Sequence, residues 1–279
     1  MKKSESKFAP KKSLGQHFLV APGIVEKICD WICVDTNLPV VEVGPGRGAL
    51  TEEILKRGCQ VLALEVDRDL IAELKSKFKS EIIEKQFEIL EFDASRVAPI
   101  EIEKAFIKFG KPADTHFIIC GNLPYNVGTQ IVMNFLECFK NAKRFVFMLQ
   151  KEVVLRFLSE GNNSDYGPLA VKMAWLSRVI GKFWVKPGSF DPPPRVDSGV
   201  FCFERNTQLP AGIDPFGKQE GLYSQASDFV AKIFQNRRKM LRAIDKQFAG
   251  TTWGSKRPQE MTPKELLEIV QSLEVKAHP

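Results

Sequence analysis

From residue 39 to about residue 205, short apolar runs alternate with stretches whose apolar residues recur every three or four positions. That alternation predicts an α/β sheet domain. Val40–Val43 reads as a strand ending in a glycine-rich turn, followed by a helix over Leu50–Lys56. Val61–Val66 is a second strand, and Asp67–Phe78 a helix with Leu70, Ile71 and Leu74 at helical spacing. Phe87–Phe92 and Phe117–Cys120 are the third and fourth strands. The fourth runs into a Gly-Asn-Leu-Pro-Tyr turn and a helix around Thr129–Phe139. Arg144–Leu149 is a fifth strand and Glu152–Leu158 a helix. Val179–Val185 and Gly199–Phe203 are two further strands. The proline-rich link between them is too short for a parallel crossover, so an antiparallel pair is expected.

Past Glu204 the pattern changes. Pro210, Gly212 and Pro215 mark a linker, and residues 219–247 and 262–275 read as helices, with Phe229, Ile233 and Leu241 forming an apolar stripe. The expected organisation is a sheet domain over residues 1–205 and a small helical domain over residues 206–279.

Composition excludes whole classes without choosing among the rest. Hydrophobic residues are 44% and charged residues 27% of the 279, as in an ordinary globular protein and unlike a disordered, collagenous or disulfide-stapled chain. The net charge of +6 is mild, but its placement is informative. Lys2, Lys3, Lys7, Lys11 and Lys12 face one acid, Glu5; Lys232, Arg237, Arg238, Lys239, Arg242 and Lys246 face Asp245. Two such concentrations point to a polyanion partner. The six cysteines form no Cys-x-x-Cys pair and read as buried, reduced thiols of a cytosolic protein. No His, Cys and acid residues have metal-ligand spacing, so no metal is expected. No signal peptide or membrane-length apolar run is seen, and a cytoplasmic protein without a membrane partner is expected.

Three constellations carry chemistry. The first is Glu42-Val43-Gly44-Pro45-Gly46-Arg47-Gly48-Ala49 at the end of the first strand. Glycines such as Gly44 and Gly46 let the chain turn tightly and let a ligand approach the main chain. Glu65, ending the second strand, is placed to accept the ribose hydroxyls of an adenosine. Gly44-x-Gly46-x-x-Ala49 also satisfies the relaxed dinucleotide pattern, so this turn alone does not exclude NAD. Asp93, after the third strand, is placed either to accept from an adenine amine or to cap the following turn.

The second constellation is Asn122-Leu123-Pro124-Tyr125, after the fourth strand. An exocyclic adenine amine is a poor nucleophile because its lone pair is delocalised into the ring. Acceptors for its hydrogens, here the Asn122 side-chain oxygen and the Leu123 carbonyl, favour a pyramidal nitrogen aimed at a methyl group. Pro124 fixes the turn without adding a donor, and Tyr125 offers a face for an extruded base. The third is Ser189-Phe190-Asp191-Pro192-Pro193-Pro194-Arg195-Val196-Asp197-Ser198. It reads either as a stiff link or as a device presenting Phe190 as the opposite jaw of a clamp with Tyr125, with Arg195 near phosphates.

Together with Lys12-Ser13-Leu14-Gly15-Gln16-His17-Phe18-Leu19, these segments stand in the order found in the ribosomal RNA adenine dimethyltransferases of the KsgA/RsmA family, which the chain resembles over about residues 11–204. The likeness extends more loosely to Phe234–Arg242. It implies a class I (Rossmann-like) methyltransferase fold, with a seven-stranded, mostly parallel sheet and one antiparallel strand. It implies S-adenosylmethionine as methyl donor and no metal, with N6,N6-dimethylation of two adjacent adenosines in a hairpin loop near the 3′ end of small-subunit rRNA.

By position, the resemblance implies that His17, Leu19, Gly44, Gly46, Glu65, Asp93 and Asn122 contact the donor. His17 departs from the Asn usual in the family, and Ala243 stands where the basic segment commonly continues into Asn. Lys11, Lys12, Arg195, Arg237, Arg238 and Lys239 are the expected RNA contacts, the last three on a helix whose charge could also be a solvated face. The expected partner is small-subunit rRNA in a pre-30S-type particle, bound by a monomer. DNA is not expected, because DNA adenine methyltransferases typically carry Pro-Pro after the Asp or Asn. Two alternatives stay open: a large-subunit rRNA methyltransferase conferring antibiotic resistance, and a mainly non-enzymatic ribosome assembly factor.

Overall fold

The computed structural model describes residues 16–207, 213–216 and 220–277. Lys11 and Lys12, and part of the expected linker, lie outside the described residues. In chain order the first elements are β1 (Phe18–Leu19), α1 (Pro22–Ile32), β2 (Val40–Val43), α2 (Ala49–Lys56), β3 (Val61–Glu65), α3 (Arg68–Lys77) and α4 (Lys79–Ile83). Next come β4 (Phe87–Glu91), α5 (Pro99–Lys108), β5 (Phe117–Asn122), α6 (Gly128–Cys138), β6 (Ala142–Gln150) and α7 (Lys151–Phe157). The rest are α8 (Pro168–Leu176), β7 (Ser177–Val185), β8 (Phe190–Asp191), β9 (Ser198–Arg205), α9 (Glu220–Phe234), α10 (Leu241–Ile244) and α11 (Pro263–Ala277).

Seven strands form one sheet in the order β4-β3-β2-β5-β6-β9-β7. β2, β3, β4, β5 and β6 are parallel, and β9 runs antiparallel to β6. Every residue of β2 and β3 is buried, Glu42 and Glu65 included, and the strands are otherwise apolar, as strands covered on both faces require. The helices follow from their spacing and ends. In α1, Pro22 opens the first turn and Val25, Ile28, Cys29 and Ile32 form its buried stripe. In α3, the Asp67 carboxylate caps the start by accepting from the Asp69 N–H.

The chain divides into two compact units: residues 1–151 with 179–205, and residues 152–178 with 206–279. The sequence reading placed residues 152–178 with the sheet; in the structure they pack in the helical unit. There, Tyr166 Oη donates to the Met261 carbonyl and Trp175 Nε1 to the Pro263 carbonyl, both at 2.8 Å. These partners are about ninety residues away in sequence, which no local pattern reveals.

A second correction concerns the expected helix over 219–247. It stops at Phe234, and Arg237, Arg238 and Lys239 lie on a turn before the single-turn α10. The N–H groups of Leu241 and Arg242 donate to the carbonyls of Lys256 and Gly254 rather than one turn back along a helix. Tertiary hydrogen bonding overrides helical propensity here. Among the cysteines, Cys29, Cys59, Cys120 and Cys202 are buried, while Cys33 is half-buried and Cys138 exposed, against the expectation that all are interior. No helix among the described residues is long and apolar enough to cross a membrane.

Candidate active site

β2 is where the strand order reverses: β3 and β4 lie to one side of it, β5 and β6 to the other. Ligands of open α/β sheets bind outside the carboxyl ends of strands at such a point. A cavity of about 290 Å³ lies there, lined by Gly44 and Gly46 after β2, Glu65 at the end of β3, Asp93 after β4, and Asn122 at the end of β5. His17, Leu19, Leu123, Pro124 and Tyr125 complete its wall on the other side.

The first described residues form a strap across this wall. Phe18 and Leu19 pair antiparallel with Asp191 and Phe190, and the Val20 N–H donates to the Ser189 carbonyl at 2.9 Å. His17 Nδ1 lies 2.8 Å from the Pro192 carbonyl, a contact that requires a proton on Nδ1. Gln16 Nε2 donates to Asp67 at 2.9 Å. Phe18 sits under the Arg47 guanidinium, 4.4 Å from its ring centroid. The same ring is why residue 46 is glycine. Its φ is +58°, and an added Cβ would fall 2.9 Å from the Phe18 ring.

Asn122 is held through its amide nitrogen, which donates to the His17 carbonyl at 2.7 Å. Oδ1, on the other arm of the amide, is thereby turned away from the strap. The Tyr125 ring packs on His17, with centroids 5.7 Å apart and 28° between planes. Its hydroxyl is 2.9 Å from the Oγ of fully buried Ser198, and burial raises its pKa. Next to Asn122, Gly121 passes so close to β2 that an added Cβ would lie 2.4 Å from the Val43 carbonyl.

Glu65 is buried, and its Oε1 accepts from the N–H groups of Val66 and Asp67 at 2.9 and 3.0 Å. Burial raises its pKa, and those backbone donors oppose the shift. Asp93 Oδ1 accepts from the N–H and hydroxyl of Ser95, so the residue closes a turn and also lines the cavity. The two roles offered for it are compatible.

Phe190 is the correction. It is 4% exposed, packs in the core beside Leu19, and does not line the cavity. Pairing Leu19 with Phe190 puts both side chains in the apolar interior, where a phenyl ring gains more than at a wet rim. The aromatic neighbour of Tyr125 is His17. Arg195 is exposed, outside the cavity lining. Arg237 donates to the carbonyls of Ser164 and Tyr166, whereas Arg238 and Lys239 are exposed.

The sequence reading missed Glu42 as a site residue. It lines the cavity, is 1% exposed and accepts from Thr51 Oγ1 at 2.6 Å; burial pushes its pKa up to about 7. An acid inside an otherwise apolar strand was the available signal. Val66, 46% exposed at the cavity, was hidden as the last letter of an apolar run. Among the described residues, no three His, Cys, Asp or Glu side chains come together to hold a metal ion.

A seven-stranded sheet in this order, with an antiparallel strand near one edge and acids at the ends of β3 and β4 facing a glycine turn, defines an α/β methyltransferase fold. The chain belongs to the ribosomal RNA adenine dimethylase family, whose sequence profile matches residues 7–252. It is 35% identical over 272 residues to the ribosomal RNA small subunit methyltransferase A of Paracidovorax citrulli, covering 95% of this chain and 99% of that one. The protein of the same name from Pseudomonas syringae pv. tomato is 32% identical over 266 residues, covering 95% of each. A dimethyladenosine transferase from Plasmodium falciparum has the same fold, with TM-score 0.77 and 21% identity over 94% of this chain and 98% of that one. The 23S rRNA methyltransferase ErmE shares the fold with TM-score 0.61 and 22% identity over 91% and 99%.

Proposed function

We propose that the cavity binds S-adenosylmethionine, and that the chain methylates N6 of two adjacent adenosines in a hairpin loop near the 3′ end of small-subunit rRNA to N6,N6-dimethyladenosine. The bacterial relatives, both named for the small ribosomal subunit, favour that subunit. The observation that carries the chemistry is the Asn122 amide, anchored by the His17 carbonyl with its oxygen turned away from that anchor.

The donor supplies an electrophilic methyl group when bound. Glu65 keeps accepting capacity for two ribose hydroxyls, since a carboxylate offers about four lone-pair sites and its Oε1 is fixed by backbone donors. Asp93, held by Ser95, accepts from the adenine amine. On the target side, Asn122 Oδ1 and the Leu123 carbonyl hold the hydrogens of the base amine and favour a pyramidal nitrogen. Tyr125 carries the base on its ring face. No general base is needed, because the proton becomes acidic once the nitrogen is methylated. The enzyme acts as a monomer in the cytoplasm on pre-30S-type particles, and contributes to small-subunit biogenesis.

The test is mass spectrometry of rRNA nucleosides from cells lacking the protein. Loss of N6,N6-dimethyladenosine from the small subunit, restored by the wild-type chain, is expected. Loss from the large subunit instead would move the substrate there. An unchanged nucleoside profile with defective subunits would leave an assembly role alone.

A further inference from the structure

We infer that Trp184, flanked by Lys151 and Lys186, is a stacking platform for an unpaired nucleotide next to the target adenosine; this rests on the rRNA-methylating reading above. β7 is an edge strand of the sheet, and its side chains alternate between faces. Gly181 and Phe183 meet Trp31 of α1: an added Cβ at 181 would lie 2.9 Å from that indole, and the Phe183 ring is 5.3 Å from it. Trp184 therefore points to the other face, where it stays 36% exposed.

The surroundings of this indole are cationic. Lys151 Nζ lies over the ring, 5.2 Å from its centroid, and Lys186, two residues further along the chain, is 79% exposed. The nearby acid, Asp197, is paired with Lys186 at 2.8 Å. An aromatic face among ammonium groups fits a base and its phosphate, which an apolar protein partner would not match.

The platform is joined to the target side of the cavity. The Lys151 N–H donates to the Asp197 carbonyl at 3.0 Å, and the next residue, Ser198, holds the Tyr125 hydroxyl at 2.9 Å. A hairpin loop offers unpaired bases on both sides of its target, free to stack on protein side chains.

The experiment uses the full chain and small subunits lacking the modification. Methyl transfer is measured with wild type, Trp184→Ala and Trp184→Phe, and ultraviolet crosslinks within the complex are mapped by mass spectrometry. Trp184→Ala should raise KM for the particle about tenfold, with kcat and donor affinity held, and Trp184→Phe should restore most of the loss. A crosslink from the Trp184 peptide to an rRNA nucleotide is expected. An unchanged KM in Trp184→Ala, or a crosslink from Trp184 to a ribosomal protein, overturns the inference. If wild type transfers no methyl group, the functional reading fails and the crosslink alone decides the platform.

Discussion

The Asn122 side-chain amide donates to the His17 carbonyl across 105 positions of sequence. A residue at a strand end is thus oriented by the backbone of a separate segment. Asn122→Asp keeps the shape but sets an acceptor against that carbonyl. An acceptor left unmet in this partly buried contact costs about 1–3 kcal/mol, so single-turnover methyl transfer should fall roughly ten- to hundredfold. Calorimetry with the donor would separate this loss from weakened binding. A wild-type rate would remove the orienting role.

Tyr125→Phe keeps the ring face and removes the hydrogen bond to buried Ser198. An unfolding free energy lower by about 1 kcal/mol in urea titration is expected, with most methyl transfer retained. Tyr125→Ala should also weaken capture of the base, since stacking is worth about 1–3 kcal/mol. Equal damage from both variants would show that the hydroxyl, and not the face, is what the site uses.

Glu65→Ala removes the carboxylate beneath the proposed ribose position. Hydrogen bonds to charged groups are worth about 1.5–3 kcal/mol, so S-adenosylmethionine should bind roughly ten- to hundredfold more weakly by calorimetric titration. Undiminished affinity places the donor elsewhere. An NAD isotherm with the wild-type chain would reopen the dinucleotide reading of the glycine turn.

Glu42 makes stability depend on pH. Its ordinary value is 4.5 and burial pushes it to about 7, so between these values the folded chain holds a proton that the unfolded chain has released. This contribution is fully present below pH 4.5 and is lost as pH rises through about 7. The effect reaches about 3 kcal/mol. Glu42→Gln keeps an acceptor for Thr51 and cannot ionise, so its Tm should lack that decline. Parallel thermal scans of the two proteins across this range check it; identical slopes would mean that Glu42 ionises freely in the fold.

The three basic residues 237–239 should divide by role. Arg237, bound to the carbonyls of Ser164 and Tyr166, ties together parts of the helical unit. Arg237→Ala should lower its melting temperature. Replacing exposed Arg238 and Lys239 should leave melting unchanged and flatten the salt dependence of particle binding by about 0.7–0.9 log units per lost phosphate contact. A salt slope equal to wild type would make them a solvated surface.

The sheet was legible because its central strands are buried on both faces and read as short, mainly apolar runs, such as Val40–Val43 with Glu42 as its one acid. The cavity residues at strand ends were legible too, because a turn glycine, a strand-end acid and an Asn-Leu-Pro-Tyr segment each imply a place on that architecture. What stayed hidden depends on distant partners. The side chain of Phe190 could serve a clamp or a core, and only its pairing with Leu19 decides between them. The break after Phe234 depends on the Gly254 and Lys256 carbonyls, which no window around residue 240 contains.

The ribbon of β1 and β8 joins residues 18–19 to residues 190–191. A chain emerging from the ribosome therefore exposes one half of this ribbon long before the other has been synthesised. The glycine turn, Glu65 and Asn122 all precede Ser189, yet the strap beside them has no strand partner until residues 189–192 leave the exit tunnel. A nascent chain thus completes the bulk of its sheet before it can close the wall of its cavity. Domains generally fold as units during synthesis, and here a late-arriving strand segment also finishes the site. Chains released before that point would carry the acids, the glycine turn and His17, but not the strand that pairs with the strap bearing the carbonyl that orients Asn122.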